Sequence, residues 1–471
     1  MSFPWPLFSV ELGVCAWILI LLAADALMPA AHRASLWLVA VAGIALGLIL
    51  LTRQQITATG GIFQQVFSVD GFSQYFKGLF LLTAGAVIVM TKEFGRLTHA
   101  GAFYMLLFTA LLGALILSSI NDLLLLFLGL ELLTFSLYIM AAYLKSDRKS
   151  IEAGMKYLIM GSVSSGFLVY GIALLYGATG STTFPAIRAA LAAHPPTIAV
   201  HAGVLMILAG LGFKIGAVPF HLWVPDVYEG APTPVVALLS VGSKMAGIVA
   251  LIRTLYGAFL PLQPFWSPIL ACLSAATMLY GNLAAIPQTN IKRLLGYSSI
   301  GHAGYLLMGV STGSVGGIQA VAYYLLAYMF SNLAVFLAVV AAGDAVGGDA
   351  LEDYRGLSKR SGVLAASLFI GLLSLAGVPP LAGFVGKLLV LLRTVESRRL
   401  WLVAIGAVNV AISLYYYLMV IKRMYLDPPA SPSPIAVSDL TKVLLAALVL
   451  GILGIGIIQD PFLQRILLAI H

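Results

Sequence analysis

Five ionisable residues stand in stretches that are otherwise apolar: Glu131 in NDLLLLFLGLELLTFSLYIMAAY, Lys214 in LMILAGLGFKIG, Lys244 in VVALLSVGSKMAG, His302 in YSSIGHAGYLLMGV and Lys387 in AGFVGKLLVL. A lysine at the centre of a membrane helix costs about 2.5–3.5 kcal/mol on insertion scales, so such residues face protein or water and often mark ion or proton pathways. Burial tunes the proton affinity of lysine, and an imidazole that titrates near neutral pH can relay between lysines. Glu131 has Phe127, Leu128, Thr134 and Phe135 as its helical neighbours, where an unpaired carboxylate is costly, and Lys214 is its expected partner. Each reading has a structural alternative. Glu131 and Lys214 could merely pin two helices, Lys387 could extend its stem to the headgroups, and His302 could be a packed core histidine. His201 and His221 offer no matched pair for a bis-histidine haem, and Asp226 and Glu229 read as loop-fixing or cavity-mouth charges.

The elements that would hold these residues are membrane helices. Fourteen apolar spans are expected, at about 9–28, 35–52, 75–91, 101–118, 121–143, 153–177, 199–220, 232–254, 266–285, 293–310, 317–342, 362–395, 399–421 and 441–458. The seventh ends at Pro219, and the twelfth is too long for one straight span and carries Pro379-Pro380 in its middle. A break at membrane depth frees backbone groups that protein or water must satisfy, so both helices are expected inside the bundle beside a hydrated cavity. They are five helices apart, and a repeat with an odd number of spans inserts its second copy upside down. Tyr157, Leu158 and Ser164 share their spacing with Tyr324, Leu325 and Ser331.

Composition agrees. The chain is 61% hydrophobic and 9% charged, against roughly 25% charged for an average soluble protein, so it reads as one polytopic all-α membrane domain over 1–471. Its net charge of +8 is scattered over short loops and does not suggest nucleic acid. Cys15 and Cys272 stand alone in apolar segments, which excludes a disulfide framework and cysteine-ligated clusters, so redox chemistry belongs to another chain. No phosphate-binding run is present, and the first apolar run, preceded by Glu11 and no basic residue, reads as a helix and not a signal peptide. Most lysines and arginines, including Lys145, Arg148, Lys149, Arg293 and Arg423, follow odd-numbered spans, while Lys77 and Arg253 fall at the opposite ends. The positive-inside rule then places both termini outside the cytoplasm.

Four segments, GFKIGAVPFHLWVPDVYEGAPTPVVALLSVGSKMAG, GLELLTFSLYIM, QTNIKRLLGYSSIGHAGY and AGVPPLAGFVGKLLVL, together resemble the subunit N family of the NADH:quinone oxidoreductase of bacterial respiratory complex I. The wider superfamily also holds the sister subunits L and M and the Mrp-type sodium/proton antiporters. GFVGK favours N, because M-like chains carry Glu at the Lys387 position and L-like or Mrp-like chains usually a Ser-Lys-Asp/Glu pattern; the long lateral helix of an L-type chain after span fourteen is also not expected. The resemblance implies about fourteen helices with broken helices 7 and 12 and two inverted five-helix repeats, about 101–256 and 266–423. It implies Glu131 and Lys214 as the charge pair of a first half-channel, Lys244 as the connecting lysine, His302 as a relay and Lys387 as the terminal lysine of a second. The implied function is proton translocation driven by quinone reduction in other subunits of the bacterial inner membrane complex. No cofactor is expected in this chain, with NADH, flavin, iron-sulfur clusters and quinone in partner subunits. Expected partners are antiporter-like subunit M, small membrane subunits and lipid. A Mrp-type antiporter subunit, a related membrane-bound hydrogenase or plastoquinone-linked complex, and a passive scaffold are the alternatives.

Overall fold

Where water is scarce every backbone amide must be paired within its own segment, and the apolar runs of this sequence meet that demand as helices. The computed structural model describes residues 5–29, 33, 35–54, 65–97, 99–429, 431 and 433–470. Helices α1 (Ser9–Leu27), α2 (Leu36–Arg53), α3 (Gly71–Phe94), α4 (Ala100–Ser118), α5 (Leu123–Ala141) and α6 (Arg148–Thr179) come first, followed by the short α7 (Phe184–Ala193). Span seven is two pieces, α8 (Ile198–Ile215) and α9 (Trp223–Gly230). Span eight is α10 (Thr233–Leu238), a π-helical turn at Leu239–Ser243, and α11 (Lys244–Gly257). Then come α12 (Gln263–Ala285), α13 (Ile291–Ser311), α14 (Val315–Val346) and the single turn α15 (Leu357–Arg360). Span twelve is again split, into α16 (Gly362–Ala376) and α17 (Ala382–Glu396), before α18 (Leu400–Tyr425), α19 (Asp439–Ile457) and α20 (Asp460–Ala469).

Helix starts carry their local signals. Asp122 caps α5 by accepting from the Leu124 and Leu125 amides, Asn290 caps α13 through the Arg293 amide, and Asp70 forms a capping box with Ser73 on α3. Among the described residues, twelve helices are long and apolar enough to cross a membrane. The other two expected spans are α13, made less apolar by Lys292, Arg293, Ser298, Ser299 and His302, and the split span twelve, whose halves have 15 residues each. The span Thr233–Gly257 is 100% buried over its apolar window and Val315–Gly343 is 89% buried, against 28% for the first two helices. These two helices are therefore the centre of the bundle, and α11 brings Lys244 there.

Both breaks are made by glycine. α8 stops at Gly216 (φ 76°) and α16 at Gly377 (φ 87°), left-handed positions that side chains rarely adopt. Three residues on, the Val218–Pro219 and Pro379–Pro380 peptides are cis. Neighbouring side chains satisfy amides that the breaks release: Val218 N–H donates to Thr277 Oγ1 (3.1 Å) and Gly383 N–H to Ser374 Oγ (3.1 Å). The breaks expected near Pro219 and Pro379-Pro380 are there: the half-helices end at the buried Ile215 and Ala376 and resume at Trp223 and Ala382, with the three prolines, themselves exposed, in the connections. Glycine ends each first half-helix before the proline is reached.

One cation lies elsewhere than the sequence suggests. Lys77 reads as a charge at the outer end of the third span, but α3 begins at Gly71, several residues before the expected start, and Lys77 is fully buried within it.

Candidate functional site

Lys214 occupies the last turn of α8, where Nζ donates to Tyr138 Oη (3.3 Å) and lies over the Tyr138 and Phe213 rings. Tyr138 and Glu131 are seven residues apart on α5, two turns or about 10 Å along one face. Glu131 Oε1 accepts from Ser165 Oγ on α6 (2.5 Å). The expected Glu131–Lys214 relationship therefore contains no direct ion pair; Tyr138 stands at the ammonium and Ser165 at the carboxylate. Tyr157 on α6 meets Tyr138 edge-on at 4.7 Å and stacks on Trp223 at 4.4 Å, so it spans the break between α8 and α9. Tyr157 Oη and Ser243 Oγ are buried with unused hydrogen-bonding capacity, and Ser243 immediately precedes Lys244.

Lys244 opens α11 directly after the π-helical turn, a local unwinding often found at functional sites. Its Nζ donates to the main-chain oxygen and the hydroxyl of Ser299 on α13. Ser299 Oγ also meets Tyr228 Oη (3.0 Å) and Tyr328 Oη (3.2 Å), and Tyr328 Oη meets Ser240 of the π turn (3.0 Å). One turn along α13, His302 is held at both nitrogens: Nδ1 is 2.6 Å from Tyr324 Oη and Nε2 is 3.2 Å from Tyr417 Oη. Tyr417 in turn bonds Ser298. A neutral imidazole donates at one nitrogen and accepts at the other, so this pair of hydroxyls suits a proton that enters one side and leaves the other.

Lys387 projects from α17 back to the first half of the broken helix. Its Nζ donates to the Ala376 carbonyl (3.0 Å) and Ser413 Oγ (3.5 Å), and lies 5.1 Å from the centre of the Tyr305 ring. Room for it comes from Gly377, where a Cβ would stand 3.0 Å from Lys387 Cδ. Lys214, Lys244, His302 and Lys387 are each at most 4% exposed. Among the described residues none of these three lysines has a carboxylate within 4 Å.

Asp226 and Glu229 lie apart from this axis. Asp226 pairs with Lys156 and Arg293 (2.8 Å each), and Glu229 with Lys149 (3.2 Å) and Arg293 (3.1 Å), tying α9 to α6 and α13. The sequence does not single out the hydroxyls of Tyr138, Ser165, Tyr328 and Tyr417; Ser299 enters only as a neighbour of His302 and Tyr324 only through its spacing. The available signal was the spacing of Tyr324 and Tyr328, four apart on one face of an apolar helix.

Comparison with known proteins places this arrangement. A family described as "NADH:quinone oxidoreductase/Mrp antiporter, TM" matches residues 120–413. The NADH-quinone oxidoreductase subunit N of Moorella thermoacetica is 43% identical over 460 residues, covering 97% of this chain and 96% of the relative. A chain of respiratory complex I from Thermus thermophilus superposes with a TM-score of 0.83 at 31% identity, covering 97% of this chain and 98% of the other. A chain of the Mrp complex from Dietzia sp. has the same fold, with a TM-score of 0.88 at 21% identity over 99% and 97% of the two chains. A multi-pass helical chain with buried lysines, matched end to end in this way, belongs to the NADH:quinone oxidoreductase/Mrp antiporter family, in its subunit N branch.

Proposed function

We propose that this chain moves protons along Glu131, Lys214, Lys244, His302 and Lys387, as a membrane subunit of NADH:quinone oxidoreductase. The observation that carries the reading is the set of buried lysines with no carboxylate partner, each set against a hydroxyl or carbonyl that can share a proton. A carboxylate within a few Å of an ammonium shifts its pKa by about 1–3 units, so movement of Glu131 toward or away from Lys214 changes how tightly Lys214 holds its proton. Approach loads Lys214; withdrawal releases the proton toward Tyr157, Ser243 and Lys244. Lys244 hands it to Ser299 and Tyr328, His302 relays it between Tyr324 and Tyr417, and Lys387 receives it beside Tyr305.

The two inverted repeats, about 101–256 and 266–423, are part of this reading. Their support is local: a Cβ on Gly210 would meet the Ser164 carbonyl at 3.3 Å, and one on Gly371 would meet the Ser331 carbonyl at 3.2 Å. Gly216 and Gly377 end the first half-helices in the same way. The charge distribution supports both termini outside the cytoplasm in a bacterial inner membrane. Subunit M, small membrane subunits and lipid are the proposed neighbours, with NADH, flavin, iron-sulfur clusters and quinone in the partner subunits. The test is to substitute alanine for each lysine in the assembled complex and measure NADH:quinone turnover and proton uptake in vesicles; loss of uptake with assembly intact supports the reading, and unchanged uptake opposes it.

A further inference from the structure

A buried acid–base pair lies outside the proposed repeats. Lys77 of α3 is 0% exposed, and its Nζ is 2.7 Å from Glu11 Oε1 of α1, whose side chain is 7% exposed. Gln54, the residue that ends α2, bridges the two: its Oε1 accepts from Lys77 Nζ (3.2 Å), and its Nε2 donates to Glu11 Oε2 (3.4 Å) and to the Leu7 carbonyl (2.7 Å). Phe67 lies under the ammonium, 5.2 Å away. Asp70 and Arg253, an ion pair at 2.5 Å, are the next charged groups.

Position distinguishes this pair from a surface bridge. α3 runs antiparallel to the central span, with Thr83 against Gly242 at one level and Asp70 against Arg253 at the other. Lys77 therefore lies between the level of Lys244 and the end of the bundle. On that end an open cavity of about 760 Å³ is lined by Gln54, Gln74, Gln464 and Arg465. Gln54 thus touches the cavity and both charges.

Stability gives no reason to keep such a pair. Replacing both partners of a buried ion pair with apolar residues of similar volume is often neutral or stabilising, whereas removing one partner is destabilising. We infer that Glu11, Lys77 and Gln54 form a protonatable site that exchanges protons with water at the end of the bundle where α1 begins. Transfer of one proton from Lys77 Nζ to Glu11 Oε1 turns ammonium and carboxylate into amine and carboxylic acid, both neutral, so no net charge is created in the interior. The acid then gives its proton to water in the cavity as Gln54 turns aside, and the amine takes up another from the interior. This rests on the chain moving protons as proposed above.

The test uses the assembled complex in vesicles with three variants: Glu11→Leu with Lys77→Met together, Lys77→Arg alone, and Lys214→Ala as reference. The double variant removes both charges and is expected to assemble with a severalfold loss of proton uptake per NADH oxidised. Lys77→Arg preserves the ion pair, but a guanidinium does not release its proton within a turnover, so the same loss is expected with assembly intact. Wild-type uptake in either assembled variant overturns the inference and makes the pair a lock between α1 and α3. Loss in Lys214→Ala in the same preparation shows that the axis stands whichever way the Lys77 variants fall.

Discussion

Lys387 Nζ donates to the main-chain carbonyl of Ala376 at 3.0 Å, and Ala376 is the last helical residue of α16. Lys214 sits in the last turn of α8. Each broken helix thus has one ammonium at the C-terminal end of its first half, where unpaired carbonyls and the negative end of the helix dipole favour a cation. In one broken helix the lysine is carried by that half itself; in the other it reaches back from α17.

Substituting Lys387 separates charge from proton release. Lys387→Ala is expected to assemble and to lose proton uptake, because alanine is a good helix former and removes a buried cation. Lys387→Arg restores the charge at the Ala376 carbonyl but not the pumping, since guanidinium holds its proton up to a pH above about 12. Native gels report assembly, and vesicle acidification reports transfer. Full pumping in Lys387→Arg would argue that only the charge is needed.

The proposed relay at His302 would use two hydroxyls and not two rings. Tyr324→Phe and Tyr417→Phe each keep the packing and delete one partner of the imidazole, and each is expected to slow proton transfer by about a hundredfold, the low end of the contribution of a positioned acid–base group. Tyr104→Phe deletes a buried hydroxyl bonded to Thr91 off the axis and serves as the control. Single-turnover proton uptake distinguishes them; equal rates in all three variants would remove His302 from the path.

Gly377 is required for its backbone and for the space it leaves. Gly377→Ala places an L-residue at φ 87°, which costs about 1–2 kcal/mol, with a Cβ 3.0 Å from Lys387 Cδ. A lower melting temperature and reduced pumping are both expected. Gly166→Ala, in the helical interior of α6 with nothing within 4 Å, should instead gain about 0.5–1 kcal/mol. Thermal unfolding in detergent compares the two.

The Asp70–Arg253 clamp predicts an acid dependence. Burial pushes the Asp70 carboxyl up, but the charge and hydrogen bonds of Arg253, with those of Ser73, outweigh it and hold the group below its usual 3.8. A carboxyl depressed in the folded state contributes stability above its unfolded value and loses it as pH falls through the folded one. Asp70→Asn should therefore unfold at lower temperature than wild type near neutral pH. The difference should close only below pH 3.8; a gap that closes near neutrality would assign the effect to another group.

Much of this could be read in the sequence because membrane helices announce themselves by long apolar runs, and a charge inside such a run has few explanations. Glu131, Lys214, Lys244, His302 and Lys387 stood out for that reason, and the glycine and proline clusters marked both breaks within a few residues. Lys77 did not stand out, because it falls at the very end of the expected third span, and only the earlier start of α3 at Asp70 carries it into the interior. The hydroxyl partners were hidden for a different reason. Tyr138, Tyr324 and Tyr417 meet their lysine and histidine partners across helices, and a tyrosine in an apolar run carries no mark of which neighbour its Oη will find. The same is true of Glu131, whose contact with Ser165 depends on how α5 packs on α6.

Lys244 lies on the most deeply buried span, between the Lys214 side and the His302 side of the axis, so its removal tests the account most directly. The measurement is proton uptake per NADH oxidised in vesicles bearing the assembled Lys244→Ala complex, against wild type in the same membranes. The account predicts that uptake falls sharply while the full set of subunits is still present. Wild-type uptake in that assembled variant, with Lys214→Ala and Lys387→Ala equally unaffected, would contradict it and leave the buried lysines a structural role alone.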